Sequence, residues 1–189
     1  MAVTAPIRDK KQVKKLAEYW LKQGNLRNYT LIVFGVCSAL RISDLLQLTW
    51  GDVYNHERCE FRSHITLTEK KTGKNKIIAL NKQVIKALHM YFPFKHGEYI
   101  FTNNRKNENA ISRVQAWRII RTAAESMKTV ETIACHSLRK TFGYHAWKSG
   151  TSTALLMDIY NHTSYEVTRR YLGISQDDRD AVYLNMTLF

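Results

Sequence analysis

Apolar residues recur three and four apart from Val13 through Leu16, Ala17, Trp20 and Leu21, the stripe of one amphipathic helix. Asp9 is placed to cap this helix, and Gly24 to stop it near Gln23. Over about residues 29–40 nearly every position is apolar, which predicts a second, central helix. Ser43 can cap a short helix through "DLLQL". The period then falls to two. "SHITLTEK" and "KNKIIAL" alternate around "KTGKN", which predicts a β-hairpin with a tight, glycine-containing turn, and "DVYNHERCEF" is expected to add a third strand. Helical patterns resume at about residues 82–91, 112–127, 137–148, 152–160, 164–172 and 176–186, and the polar loop "TNNRKNENA", residues 102–110, is expected to be mobile. Only two prolines interrupt the chain. The expected fold class is mainly α with a small antiparallel β-sheet (α+β), in one domain.

The segment "NHTSYEVTRRYLGIS" sharpens the reading of the C-terminal part. "TSYE" reads as a capping box, with Thr163 as N-cap and Glu166 three residues on. Gly173 ends the same helix, and "SQDD" starts the next. On one continuous helix His162 and Tyr171, nine residues apart, would face opposite ways. A helix start between them lets both face one point.

Composition narrows the partner. The 189 residues carry 29 Lys and Arg against 16 Asp and Glu, a net charge of +13 that favours a polyanion, nucleic acid before membrane. No apolar run reaches the length of a membrane span, and the N-terminus lacks the apolar core of a signal peptide. Cys37, Cys59 and Cys135 form no CxxC pair, so neither a disulfide framework nor a zinc site is expected, and a reducing cytoplasm fits. No acidic cluster is present to hold Mg²⁺, and no cofactor is expected.

Several residues could carry chemistry. His136 and Arg139 in "CHSLRK" are helical neighbours and suit a phosphate, although a solvated arginine and a capping histidine would read the same. Arg41 follows the most apolar helix and can pair with Asp44 for structure alone. Lys70, Lys71, Lys74 and Lys76 make a basic hairpin tip, either simply solvated or reaching a nucleic-acid backbone. Arg113, Arg118 and Arg121 follow a DNA backbone or merely line a solvated helix face. Together these residues specify one reaction. Two arginines neutralise a pentavalent phosphorus, a tyrosine hydroxyl attacks it, and lysine or histidine moves the protons.

The ordered set resembles the catalytic domain of the tyrosine recombinases, or phage integrase family. "SALRISDLLQLTW" resembles the first-arginine segment, "KTGKNKIIAL" the β-hairpin with its lysine, "HSLRKTF" the His-x-x-Arg signature, and "NHTSYEVTRRYLG" the closing histidine and tyrosine segment. The intervals from His136 to His162 and on to Tyr171, 26 and 9, are those usual in the family. The resemblance implies that Arg41 and Arg139 grip the scissile phosphate and that Lys71 protonates the 5′-oxygen. It further implies that His136 exchanges the tyrosine proton, His162 bonds a phosphate oxygen, Tyr171 forms a 3′-phosphotyrosyl link, and Asp44 supports Arg41. It implies double-stranded DNA as partner, a homotetramer on synapsed DNA from a free monomer, and a nucleoid-associated cytoplasmic enzyme that integrates or excises a mobile element without metal or ATP.

Two departures stand out. Tyr160-Asn161 precedes the second histidine where the family often has Leu-Gly, and asparagine tolerates the left-handed backbone that glycine supplies. The family's N-terminal core-binding domain is expected to be absent from this chain, which would then bind DNA weakly. A type IB topoisomerase-like activity or a non-catalytic DNA-binding accessory module are the competing functions. The last helix, with Ala181, Val182, Leu184 and Leu188, either packs on its own domain or docks on a neighbouring protomer.

Overall fold

A computed structural model describes residues 4–103, 108–127, 129 and 131–187. Residues 104–107 of the polar loop and Leu188 of the last stripe lie outside the described residues. The chain runs α1 (Lys10–Lys22), α2 (Leu26–Cys37), α3 (Ile42–Leu45), α4 (Trp50–Val53), β1 (Tyr54–Asn55), β2 (Glu60–Phe61), β3 (His64–Thr68) and β4 (Asn75–Ala79). It continues through α5 (Lys82–Tyr91), a 3₁₀ turn (Phe92–Phe94), α6 (Arg113–Glu125), α7 (Cys135–Lys148), α8 (Thr153–Tyr160), α9 (Tyr165–Leu172) and α10 (Gln176–Leu184). The mainly helical class is as expected. The β-structure differs: β1–β2 and β3–β4 are two separate antiparallel pairs, so the expected third strand makes its own short ladder, Tyr54 opposite Phe61.

Most helix ends follow the local chemistry. Asp9 accepts the backbone N–H of Lys11, Gly24 takes φ 68°, and Ser175 with Asp178 forms a capping box on α10. Two caps differ. Ser164, not Thr163, caps α9 by accepting Val167 N–H, and Glu166 instead accepts the Ser164 hydroxyl. Ser43 lies inside α3, whose N-cap is Arg41 with extended backbone and no side-chain cap bond. That extended residue ahead of a one-turn helix is what turns Arg41 out of the chain direction of α2.

Two apolar clusters divide the labour. The larger centres on α2, where Leu31, Ile32 and Phe34 have no exposed surface. Each such burial contributes roughly 1.5–3 kcal/mol. The smaller joins Ala39, Leu156, Tyr160 and Leu172, with Phe142, Ala146 and Tyr171 packed on it. Glycines allow both contacts with α7. A Cβ on Gly35 would lie 2.5 Å from Leu138, so α2 and α7 pack close and Arg139 falls beside Ala39. A Cβ on Gly143 would lie 2.2 Å from the Tyr160 hydroxyl. Gly143→Ala should therefore overpack the small cluster and destabilise the protein by about 1–3 kcal/mol. Thermal unfolding measures this, and an unchanged midpoint would mean that Tyr160 is not held against α7.

Candidate active site

The site begins with a buried cation. Arg139, one turn into α7, is 1% exposed. Its guanidinium donates to the backbone carbonyls of Ala39 and, at 2.9 Å, Tyr160. It lies over the Tyr160 ring, 4.7 Å from the centroid, and the Tyr160 hydroxyl returns a 2.7 Å bond to Arg139 O. Ala39 holds φ 55°, a left-handed conformation costly for alanine, which directs its carbonyl to the guanidinium. Arg139 Nε has no hydrogen-bond partner. Burial and the like charge of Arg41 lower the Arg139 pKa, while Tyr160, Tyr171 and Glu69 oppose the shift.

Arg41 reaches the same pocket from the α2–α3 turn. Its carboxylate partner is Glu69: Nη1 lies 2.7 Å from Oε2. The expected Arg41–Asp44 pairing is not what forms. Asp44 Oδ1 instead accepts Lys70 N–H and the Ser43 hydroxyl, because α3 turns it toward the hairpin base. Glu69 is fully buried and also accepts Thr72 Oγ1 at 2.8 Å and Asn161 Nδ2 at 2.9 Å. Burial works against its charge. The bonds from Arg41, Asn161 and Thr72, with the charge of Arg41, outweigh burial and hold Glu69 down at about 2.

The hairpin register decides which lysine enters. Lys76 stands opposite Leu67 on the face shared by Ile65 and Ile78, so it points inward. Its ammonium donates to Ile159 O and lies 3.8 Å from Glu69 Oε1. Burial, then the charge of Arg139, lower it to about 8, with Arg41 adding and Glu69 and Asp44 opposing. Lys70, Lys71 and Lys74 lie in the exposed turn. Lys71 thus stands outside the cluster that Lys76 joins.

Asn161 ends α8 in the left-handed conformation, φ 53°, and delivers His162. His162 Nδ1 lies 3.0 Å from Thr168 Oγ1, and its ring stacks on Tyr160. Burial, then Arg139 and Arg41, push His162 down to about 4, so it is neutral at pH 7. The Tyr171 ring sits 4.7 Å from that of His162 and 6.0 Å from the Arg139 guanidinium carbon, with the Lys140 ammonium 5.8 Å away. The two short helices do bring His162 and Tyr171 to one point. His136, in the first turn of α7, is exposed. Loss of solvent around its ring, then Lys140, Arg139, Arg113 and Arg41, lower its pKa. Arg113 starts α6 beside it, whereas Arg121 lines a separate cleft with Glu125 and Glu131. Arg118 is exposed. Among the described residues no group of three or more His, Cys, Asp and Glu could hold a metal ion, and no helix is long and apolar enough to cross a membrane.

Sequence reasoning passed over Glu69, Asn161's amide, Thr168 and the inward aim of Lys76. The signal for two of them was the strand alternation: Ile65, Leu67 and Glu69 share one phase, as do Lys76, Ile78 and Leu80.

The domain is mostly helical and brings Arg41, Arg139, His162 and Tyr171 together, with His136 exposed at the start of α7. Residues 8–177 match the phage integrase family, and the chain belongs to that family. It is 39% identical over 184 residues to the probable integrase/recombinase YoeC of Bacillus subtilis, covering 97% of each chain. It is 25% identical to the tyrosine recombinase XerC of Pelobacter propionicus, over 84% of this chain and 51% of that one, so it spans about half the length of this relative. Among solved structures, XerA recombinase superposes with a TM-score of 0.75 over 95% of this chain and 63% of the other, at 20% identity. XerH bound to palindromic difH in a post-cleavage complex gives 0.76 over 94% and 51%, at 16%.

The depressed His162 sets a pH dependence. The folded state takes up its proton only near pH 4, and the unfolded chain near 6.5, so stability should fall as pH drops through that window. The unfolding midpoint, followed from pH 7 to pH 4, should decline less in His162→Gln than in the unaltered protein. Equal declines would assign the loss to other groups.

Proposed function

We propose that this protein cuts and rejoins double-stranded DNA by transesterification at Tyr171, as a site-specific recombinase or integrase. What carries the reading is the convergence of Arg41, held by Glu69, and Arg139, whose buried Nε lacks a hydrogen-bond partner, beside the His162–Tyr171 pair. A phosphodiester seated there accepts from the two guanidiniums, which neutralise the charge that grows on phosphorus. The Tyr171 oxygen attacks phosphorus, the bond to the 5′-oxygen breaks, and a 3′-phosphotyrosyl ester forms. The tyrosine proton passes to His136, and Lys71 protonates the departing 5′-oxygen. Neutral His162 donates to a non-bridging oxygen when Thr168 gives its hydroxyl proton to Nδ1. Attack by a second 5′-hydroxyl reverses the sequence, so the bond energy is conserved and neither metal nor ATP is required.

The net charge of +13, the exposed Lys70, Lys71 and Lys74, and Arg113 and Arg118 suit contact with a phosphate backbone. XerH bound to difH, and a lambda integrase dimer bound to a core site, are neighbours in fold. Assembly as a homotetramer on synapsed DNA from a free monomer suits α10. Its Val182, Tyr183 and Leu184, with Met186 beyond, are 62–84% exposed, and a 2.5 Å Lys148–Asp178 ion pair ties its start to α7.

On a nicked suicide substrate the protein should form a covalent adduct that EDTA does not suppress. Tyr171→Phe should form none and bind DNA as before. Absence of any adduct with the unaltered protein would leave only the binding-module reading.

A second reading concerns the proton donor alone. Lys76 is already inside the site and its pKa of about 8 suits proton transfer near neutrality. A DNA strand carrying sulfur in place of the 5′-bridging oxygen leaves without a proton. This substrate should restore Lys71→Ala cleavage to within a few fold of the unaltered rate and leave Lys76→Ala impaired. The opposite pattern would move the role to Lys76.

A further inference from the structure

We infer that Glu69 is a positioning residue for this reaction, a buried carboxylate that pins three separate segments of the site around the phosphate. The inference rests on the transesterase reading above. One oxygen, Oε2, receives Arg41 at 2.7 Å, Thr72 at 2.8 Å and Asn161 at 2.9 Å, while Oε1 faces the Lys76 ammonium at 3.8 Å. Those partners belong to the α2–α3 turn, the hairpin tip and strand β4, and the α8 terminus that leads into His162.

The charge geometry explains why a carboxylate is required there. Arg41, Arg139 and Lys76 are like charges in a largely desolvated space: Arg41 lowers the tendency of Arg139 and Lys76 to stay charged, and Arg139 that of Lys76. Glu69 offsets that repulsion while Arg139 Nε stays without a hydrogen-bond partner. Its link to Asn161 gives the departure from glycine a purpose. Glycine would satisfy φ 53° and ψ 43° equally well, but only the asparagine amide reaches Glu69 and so ties the backbone of His162 to the hairpin.

Asn161→Gly isolates the link, because the backbone conformation suits glycine and the fold is retained. We expect it to slow single-turnover adduct formation at least tenfold while the dissociation constant for DNA stays within threefold. Glu69→Gln, which removes a negative charge facing the phosphate, should bind DNA as tightly or more tightly and cleave at least tenfold more slowly. The double variant should be no slower than Glu69→Gln. A loss confined to general stability would weaken binding and cleavage together. Wild-type rates in Asn161→Gly, parallel losses of affinity and rate, or multiplicative effects in the double variant would overturn the inference. Hydrogen exchange without DNA decides it independently of activity. Amides of residues 70–75 and 162–165 should exchange faster together in Asn161→Gly, and unchanged exchange in either segment would refute the pin. If the unaltered protein forms no adduct, the transesterase reading fails while the exchange result still judges the pin.

Discussion

The structure depends on keeping one guanidinium, that of Arg139, charged and almost wholly out of water. Desolvating such an ion costs several kcal/mol even after the protein relaxes around it. The compensation is assembled from distant parts of the chain: the carbonyl of Ala39, the carbonyl and ring of Tyr160, and the approach of α2 that Gly35 permits. Tyr160 closes the arrangement by bonding back to the Arg139 carbonyl, and it can do so only because residue 143 has no side chain. The smaller apolar cluster is therefore the wall of the site. Tyr171 packs against that wall, which couples its position to the burial of the cation.

Around that cation the charges nearly balance and stop one short. Arg41, Arg139 and Lys76 contribute three positive charges to the local field, and Glu69 and Asp44 two negative ones. A single phosphodiester would complete the balance. The same field makes His162 a poor base, depressed to about 4, and so fits it for hydrogen bonding rather than proton uptake. His136, exposed at the start of α7, is also lowered by Arg139 and Arg41, with Lys140 and Arg113 in place of Lys76, but solvent reaches it. Two histidines of one sequence thus sit in different electrostatic surroundings that neither creates alone.

The polypeptide's own pattern carried most of the architecture. Period, caps and breakers located the main helices and the hairpin, and the order of Arg41, the lysines, His136–Arg139, His162 and Tyr171 carried the family resemblance. These are local properties, legible because helix and strand periods and capping chemistry act over a few residues. Where local signals competed, tertiary contacts chose. Thr163 and Ser164 are both able caps, and the packing of α9 selected Ser164. "DVYNHERCEF" reads as one strand, but it folds back on itself as β1 and β2 and does not join the lysine hairpin.

What the sequence determined by itself was the set of candidate side chains and the helix break that allows His162 and Tyr171 to meet. What only the tertiary structure decided was who pairs with whom. Asp44 is the nearest carboxylate to Arg41 along the chain, and Glu69, 28 positions away, is the one that reaches it. Lys76 has the same composition as Lys71 but the inward strand phase. Charges interact through distance in space and through the solvent between them, and neither quantity exists until α2, α7, the hairpin and α8 have packed.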